Sequence, residues 1–250
     1  MKKEVLLQSS FRLIFMLLLV VKSVDAQINN DLEGWSAVEI DLKATKKLSF
    51  SIAEHLRLRN DITSIKNYFT QLKVNYEVLK NFELGSGIRY ITVNDDVGNK
   101  QGLESFFRYQ FDVSYAQKIN KIMLLFRLRY QNKNQLGIQE EEGDIAQEFI
   151  RARIGLGYKI KAVKLNVRLF AEHFNQPYNS KLEHTETLTR YMLKLSRKFK
   201  KLGAFTVYYG IQENNLNRWN YQISDVSKIP KNTTKSILGF KYSYTIDFTK

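Results

Sequence analysis

The chain has no cysteine, two prolines and three histidines in 250 residues. Without cysteine there is no disulfide framework, no thiolate nucleophile and no thiolate metal site. Beyond the first two dozen residues, no stretch approaches the ~18 consecutive apolar residues of a membrane-crossing helix. The two prolines, Pro177 and Pro230, fall between segments of alternating polarity, as expected if those segments are ladder-bonded strands. His55, His173 and His184 are the whole histidine complement, which leaves little side-chain acid–base chemistry near neutral pH.

What the chain does have is a period of two. Phe107, Tyr109, Phe111, Val113 and Tyr115 alternate with Phe106, Arg108, Gln110, Asp112 and Ser114. Ile122, Leu124, Phe126, Leu128 and Tyr130 alternate in the same way, with Arg127, Arg129 and Gln131 among the intervening positions. Such alternation puts one set on each face of a strand. The polar set is rich in arginine and the other set is apolar enough for lipid, which predicts an all-β fold, a single antiparallel transmembrane β-barrel with a polar lumen. The mean hydropathy of −0.36 does not bear on this reading, because alternation averages out.

Residues 1–26 read as a signal peptide. Lys2, Lys3 and Arg12 precede the uncharged run Leu13–Val21, and Val24-Asp25-Ala26 supplies a small-residue cleavage pattern. The barrel domain is then 27–250. The signal segment carries four Lys/Arg and two Asp/Glu, leaving 35 against 23 and a net charge of +12. Nucleic acid is not an expected partner, since the cations lie within strands on one parity rather than in a helix or patch.

Strands are predicted at 35–43, 47–59, 66–79, 82–93, 103–118, 121–131, 147–160, 164–174, 186–198, 202–213 and 236–248. Short connections (44–46, 80–81, 119–120, 161–163, 199–201) alternate with longer ones (60–65, 94–102, 132–146, 175–185, 214–235). Short turns on one side and long loops on the other are the habit of outer-membrane barrels, the short side being periplasmic. The last segment, with Phe240, Tyr242, Tyr244, Ile246 and Phe248, is similar to the terminal signal read by the outer-membrane insertion machinery, although the chain ends in Lys250. The expected environment is therefore a bacterial outer membrane, with its lipid and lipopolysaccharide. Tyr68, Tyr90, Tyr115, Tyr130 and Tyr158 near strand ends suit interfacial girdles. Eleven segments conflict with the even strand number usual in such barrels, so the expectation is ten to twelve strands. Either 35–43 is irregular or residues 27–34 thread back through the lumen.

Several motifs recur in order: Trp35, Glu54-x-x-Arg57, Gly85-Ser86-Gly87-Ile88-Arg89-Tyr90, Arg127-Leu128-Arg129-Tyr130-Gln131, Arg151-Ala152-Arg153-Ile154-Gly155-Leu156, Glu172-His173-Phe174-Asn175 and Tyr208-Tyr209-Gly210-Ile211-Gln212. Over nearly the whole mature chain they resemble an uncharacterised bacterial outer-membrane barrel family, domain of unknown function 2490. The resemblance implies fold and location, and brings no catalytic residues.

Polar parity and loop direction place Arg57, Arg59, Arg89, Arg127, Arg129, Arg151, Arg153 and Arg190 in the outer half of the lumen, with Arg108 and Arg168 nearer mid-height. The expected lumen carboxylates are Glu54, Glu77, Glu83, Asp112 and Glu172. Guanidinium forks suit carboxylate, phosphate or sulfate groups, so the lumen is expected to bind or pass small anionic solutes. The competing expectation is a filled lumen in which these arginines pair with Glu54, Asp112 and Glu172, since long side chains can close a bore of this size. Gly85-x-Gly87 and Gly155-x-Gly157 open no helix and are expected to leave room for large lumen side chains.

No enzyme, cofactor or metal is expected. The enzymatic alternative is a lipid hydrolase or deacylase built on His173 beside Glu172, Asn175 and Ser180, but no nucleophile motif accompanies it. Glu140, Glu141, Glu142 and Asp144 match no calcium loop and read as a solvated acidic loop. A soluble secreted β-protein is the remaining alternative.

Overall fold

The computed structural model describes residues 30–95, 102–138, 146–177, 184–218 and 233–249; the signal segment, Ser180 and the acidic loop at 140–144 lie outside them. The described residues form eleven strands: β1 Asn30–Lys43, β2 Leu48–Arg59, β3 Ser64–Leu79, β4 Phe82–Asp95, β5 Gly102–Ile119, β6 Ile122–Gln135, β7 Gln147–Ile160, β8 Leu165–Asn175, β9 His184–Phe199, β10 Gly203–Arg218 and β11 Thr233–Asp247. Each pairs with the next, and β1 joins β11 to close a barrel.

An odd number of strands has a geometric consequence. Sequential antiparallel strands reverse direction at every turn, so the first and the eleventh run the same way. β1 and β11 accordingly pair in parallel, from Asn30↔Thr234 to Lys43↔Asp247, while the ten other pairings are antiparallel. This settles the conflict over strand number. β1 is a regular strand that begins at the long-loop end, and residues 30–34 are its first residues rather than a segment threaded through the lumen.

A parallel ladder is slightly weaker per residue than an antiparallel one. Side chains add ties along this seam. Lys235 reaches Glu33 at 3.3 Å, Lys241 pairs with Glu39, and Lys43 lies 3.7 Å from Asp247. Glu33 also takes Lys66 of β3 at 2.6 Å, and Glu39 takes Lys73 of β3 at 3.8 Å. The Tyr208 ring lies over Gly239, where any Cβ would collide with it, and its hydroxyl donates to the Trp35 carbonyl at 3.4 Å.

Local sequence explains the turns. Asn81 and Asn120 adopt left-handed conformations (φ 71° and 54°) in the tight connections after β3 and β5, which asparagine tolerates better than other L-residues. The connection at 60–63 differs from expectation: it is a four-residue turn, not one of the longer loops. It docks on the start of β1, with the Ile62 amide donating to the Leu32 carbonyl at 3.2 Å and the Asp61 amide to Asp31 at 3.1 Å. Ile62, β-branched with φ 67°, is held in a strained conformation while its side chain covers Gly34.

The faces are sorted as the alternation requires, polar inside and apolar outside. Sixteen polar or charged residues are buried among the described residues, against eight hydrophobic ones. Outward residues such as Val38, Phe111, Leu128, Ile154 and Leu169 are more than half exposed. Gly155 meets its expected purpose, since a Cβ there would come within 2.5 Å of the Phe170 ring.

Candidate functional site: an arginine layer across the lumen

Strand register brings the lumen arginines together. Three cross-strand neighbours are arginine facing arginine: Arg89↔Arg108, Arg127↔Arg153 and Arg129↔Arg151. Like charges placed directly opposite destabilise a sheet unless something neutralises them.

Two of the three pairs are neutralised. Glu172 on β8, only 2% exposed, receives Arg127, Arg151 at 2.9 Å and Arg153 at 2.9 Å. Asp112 on β5 accepts both Nε and Nη2 of Arg129, a bidentate fork in a buried setting. Glu172 thereby holds three guanidinium groups from β6 and β7, Asp112 holds one from β6, and each offsets the cost of burying them.

The remaining arginines are held differently. Arg89 donates to Gln71 and sits over the Phe69 ring, 4.3 Å from its centroid. Arg57 lies over Phe69 at 5.0 Å and over Trp35 at 4.0 Å. Arg190 lies over Trp35 at 4.9 Å and Phe174 at 4.8 Å, and donates to Gln212. Arg151 completes the series 4.0 Å from Phe174. The result is a ladder in which guanidinium and aromatic groups alternate: Arg89, Phe69, Arg57, Trp35, Arg190, Phe174, Arg151. A ring face attracts a cation more strongly when both are withdrawn from water. Arg108 stands outside the ladder and donates to Gln110 at 2.7 Å.

Not every expected residue joins the layer. Glu54 does not: it is exposed on the outward face between Ile52 and Leu56, and its row across the sheet holds Val38 and Thr70. The reason is parity. Glu54 and Arg57 are three residues apart, and on a strand an odd separation places them on opposite faces. Arg108 stands directly opposite Arg89. Arg168 shares the lumen parity but is exposed, opposite Gly157 and Lys194 on the short-turn side of the layer. Arg59 lies at the rim and donates to the Asn94 carbonyl at 2.8 Å. Glu77 and Glu83 face each other across β3 and β4 at the short-turn end.

His173 also stands apart. It is exposed on the outward face and shares a 3.1 Å hydrogen bond with Thr189, whereas Glu172 is buried inside among the arginines. Those two adjacent residues point to opposite sides of the sheet and cannot act as a catalytic pair. Among the described residues no group of His, Asp and Glu is arranged to hold a metal.

Sequence reasoning put Gln110 and Gln131 on the arginine face but missed the other uncharged partners. Trp35, Phe69 and Phe174 lie on the same parity as the arginines, as do Gln71, Gln110, Gln131 and Gln212. Their signal was available: bulky aromatic and amide side chains on the lumen parity of strands that also carry arginine.

Fold and site together define the class: a closed eleven-stranded β-barrel whose interior is packed with arginine, amide and aromatic side chains. The chain belongs to the protein family of unknown function DUF2490, whose match spans residues 32–222. That range includes every residue of the layer, while the closing strand β11 lies beyond it. A comparison with curated proteins returned no match.

Proposed function

We propose that this protein is a bacterial outer-membrane barrel that binds small anionic solutes in a lumen it otherwise keeps narrow. The observation that carries the reading is the imbalance in the layer. Among the described residues, eight arginines (57, 89, 108, 127, 129, 151, 153 and 190) have only Asp112 and Glu172 as ion-pair partners, and the next buried carboxylate, Glu33 beside Trp35, is taken by Lys66 and Lys235. Buried cations in such surplus favour an anionic occupant.

The membrane part of the reading rests on the outward face. A barrel exposing Phe111, Leu128, Ile154, Leu156 and Leu169 to water would carry far more contiguous apolar surface than soluble proteins tolerate. An outward depression of about 600 Å³ over β6–β10, walled by Ile154, Leu156, Leu169, Tyr191, Leu193 and Ile211, is apolar as well. Strands of 11 to 18 residues are long enough to cross the ~25 Å apolar band of such a membrane at the usual tilt.

The experiment is conductance in planar bilayers with a salt gradient. Small anion-selective currents, or silence, are expected from a lumen crossed by the layer. A large ohmic pore or a cation-selective reversal potential contradicts the proposal.

A further inference from the structure

Of the three arginine pairs that face each other across strands, only Arg89↔Arg108 has no carboxylate of its own. Among the described residues neither side chain forms an ion pair. Asp112, whose field reaches Arg108, is already held by two nitrogens of Arg129. The charges acting most strongly on Arg89 are Arg108, Arg57, Arg129 and Arg151, all of the same sign.

The pair is nonetheless rigidly placed. Gln71 accepts from Arg89 and Gln110 accepts from Arg108, and both glutamines are almost fully buried. Phe69 fixes the plane of Arg89 from one side, and the apolar cluster of Phe69, Ile91 and Phe106 packs immediately on the loop side of the pair. Arg108 is 7% exposed, yet its Nε has no hydrogen-bond partner. An unpaired donor on a cation buried this deeply is costly, and the cation stands opposite a second guanidinium that also lacks a carboxylate.

We infer that Arg89 and Arg108, oriented by Gln71 and Gln110, form a binding site for a small tetrahedral oxyanion of the phosphate or sulfate class. This deepens the proposed function and rests on it. Each guanidinium presents donors in a planar fork, and two forks with like charge call for an acceptor with several oxygens and more than one negative charge. A phosphate or sulfate ion supplies four oxygens. A carboxylate supplies two and a single charge, which would leave the pair half-neutralised. The occupant is a free ion rather than a lipid headgroup, because the pair faces the lumen and the acyl-contacting surface lies on the opposite side of the strands.

The test uses the full chain purified in a phosphate-free detergent. Its thermal unfolding, read by circular dichroism and by unheated gel mobility, is followed while inorganic phosphate or sulfate replaces chloride at constant ionic strength. A ligand that binds only the folded state raises the transition saturably. A saturable rise is expected for the unaltered chain and for the exposed control Lys118→Gln. In Arg89→Gln and Arg108→Gln the apparent Kd should increase by about tenfold or more, the loss expected for one charged hydrogen-bonding partner. Arg108→Lys, which keeps charge without the fork, should give an intermediate value.

A response of equal size in all variants is general salt stabilisation and overturns the site. So does stabilisation by phosphatidylglycerol micelles with none from inorganic phosphate. If Arg89→Gln or Arg108→Gln does not fold, equilibrium dialysis of phosphate against the unaltered chain decides, and absence of saturable binding overturns the inference. A chain that keeps its folded, fast-migrating form but ignores the ion removes this site alone. A chain that stays folded in water without detergent removes the membrane reading on which it rests.

Discussion

At the scale of single residues the lumen is organised around Glu172. One carboxylate with 2% exposure accepts from Arg127, Arg151 and Arg153, on two neighbouring strands. Glu172→Gln would leave one buried and two half-buried guanidinium groups beside one another without this counter-charge. The expected cost is about 3–5 kcal/mol, the usual penalty for removing one member of a buried ionic group. It should be seen as a lower urea midpoint of the detergent-folded protein, and an unchanged midpoint would mean that water already screens the cluster. Much of this cluster was legible beforehand, because Arg127, Arg129, Arg151 and Arg153 lie on one parity and Asp112 and Glu172 lie on the same face. Glu54 is the exception among the expected lumen carboxylates, because it lies three residues from Arg57 and a strand puts such residues back to back. What parity does not encode is register, so the pairing of Arg89 with Arg108 and the stacking of Arg57 between Trp35 and Phe69 became visible only once neighbouring strands were aligned.

At the scale of elements the informative feature is the β1·β11 seam. Strand positions were legible from alternation, and most boundaries fall within a few residues of the structure. The exceptions are at loop ends: β1 begins five residues earlier than expected, and β6 and β10 run further toward their loops. There the alternation fades because both faces of the strand are polar. Parallel closure followed from the strand count itself, had eleven been accepted over an even number. The register can be tested directly because the chain has no cysteine to interfere. Val38 stands opposite Tyr242. Adjacent strands lie about 4.8 Å apart, within reach of a disulfide. The double variant Val38→Cys with Tyr242→Cys should therefore cross-link on oxidation and migrate as a closed loop on a denaturing gel. Val38→Cys with Phe248→Cys, six residues out of register, should not. Cross-linking of the second pair in place of the first would contradict parallel closure in this register.

For the molecule as a whole, the balance of faces decides the account. The interior is charged and amide-rich while the exterior is aliphatic and aromatic, the inverse of a protein folded in water. Glu54 is the departure from this sorting. It shares its row with Thr70 and Tyr90, close to the loop-side tyrosines Tyr68 and Tyr90, where in the proposed membrane the cost of a charge would fall toward that of an interfacial position. The central proposal is a barrel that needs lipid or detergent around it and holds its polar groups within. The most direct measurement is gel mobility, with and without heating, of the protein recovered from isolated outer membranes. The account predicts recovery in that fraction and a faster-migrating unheated band that shifts to the mass of the unfolded chain on boiling. Recovery in the soluble fraction without detergent, or identical mobility before and after boiling, would contradict it.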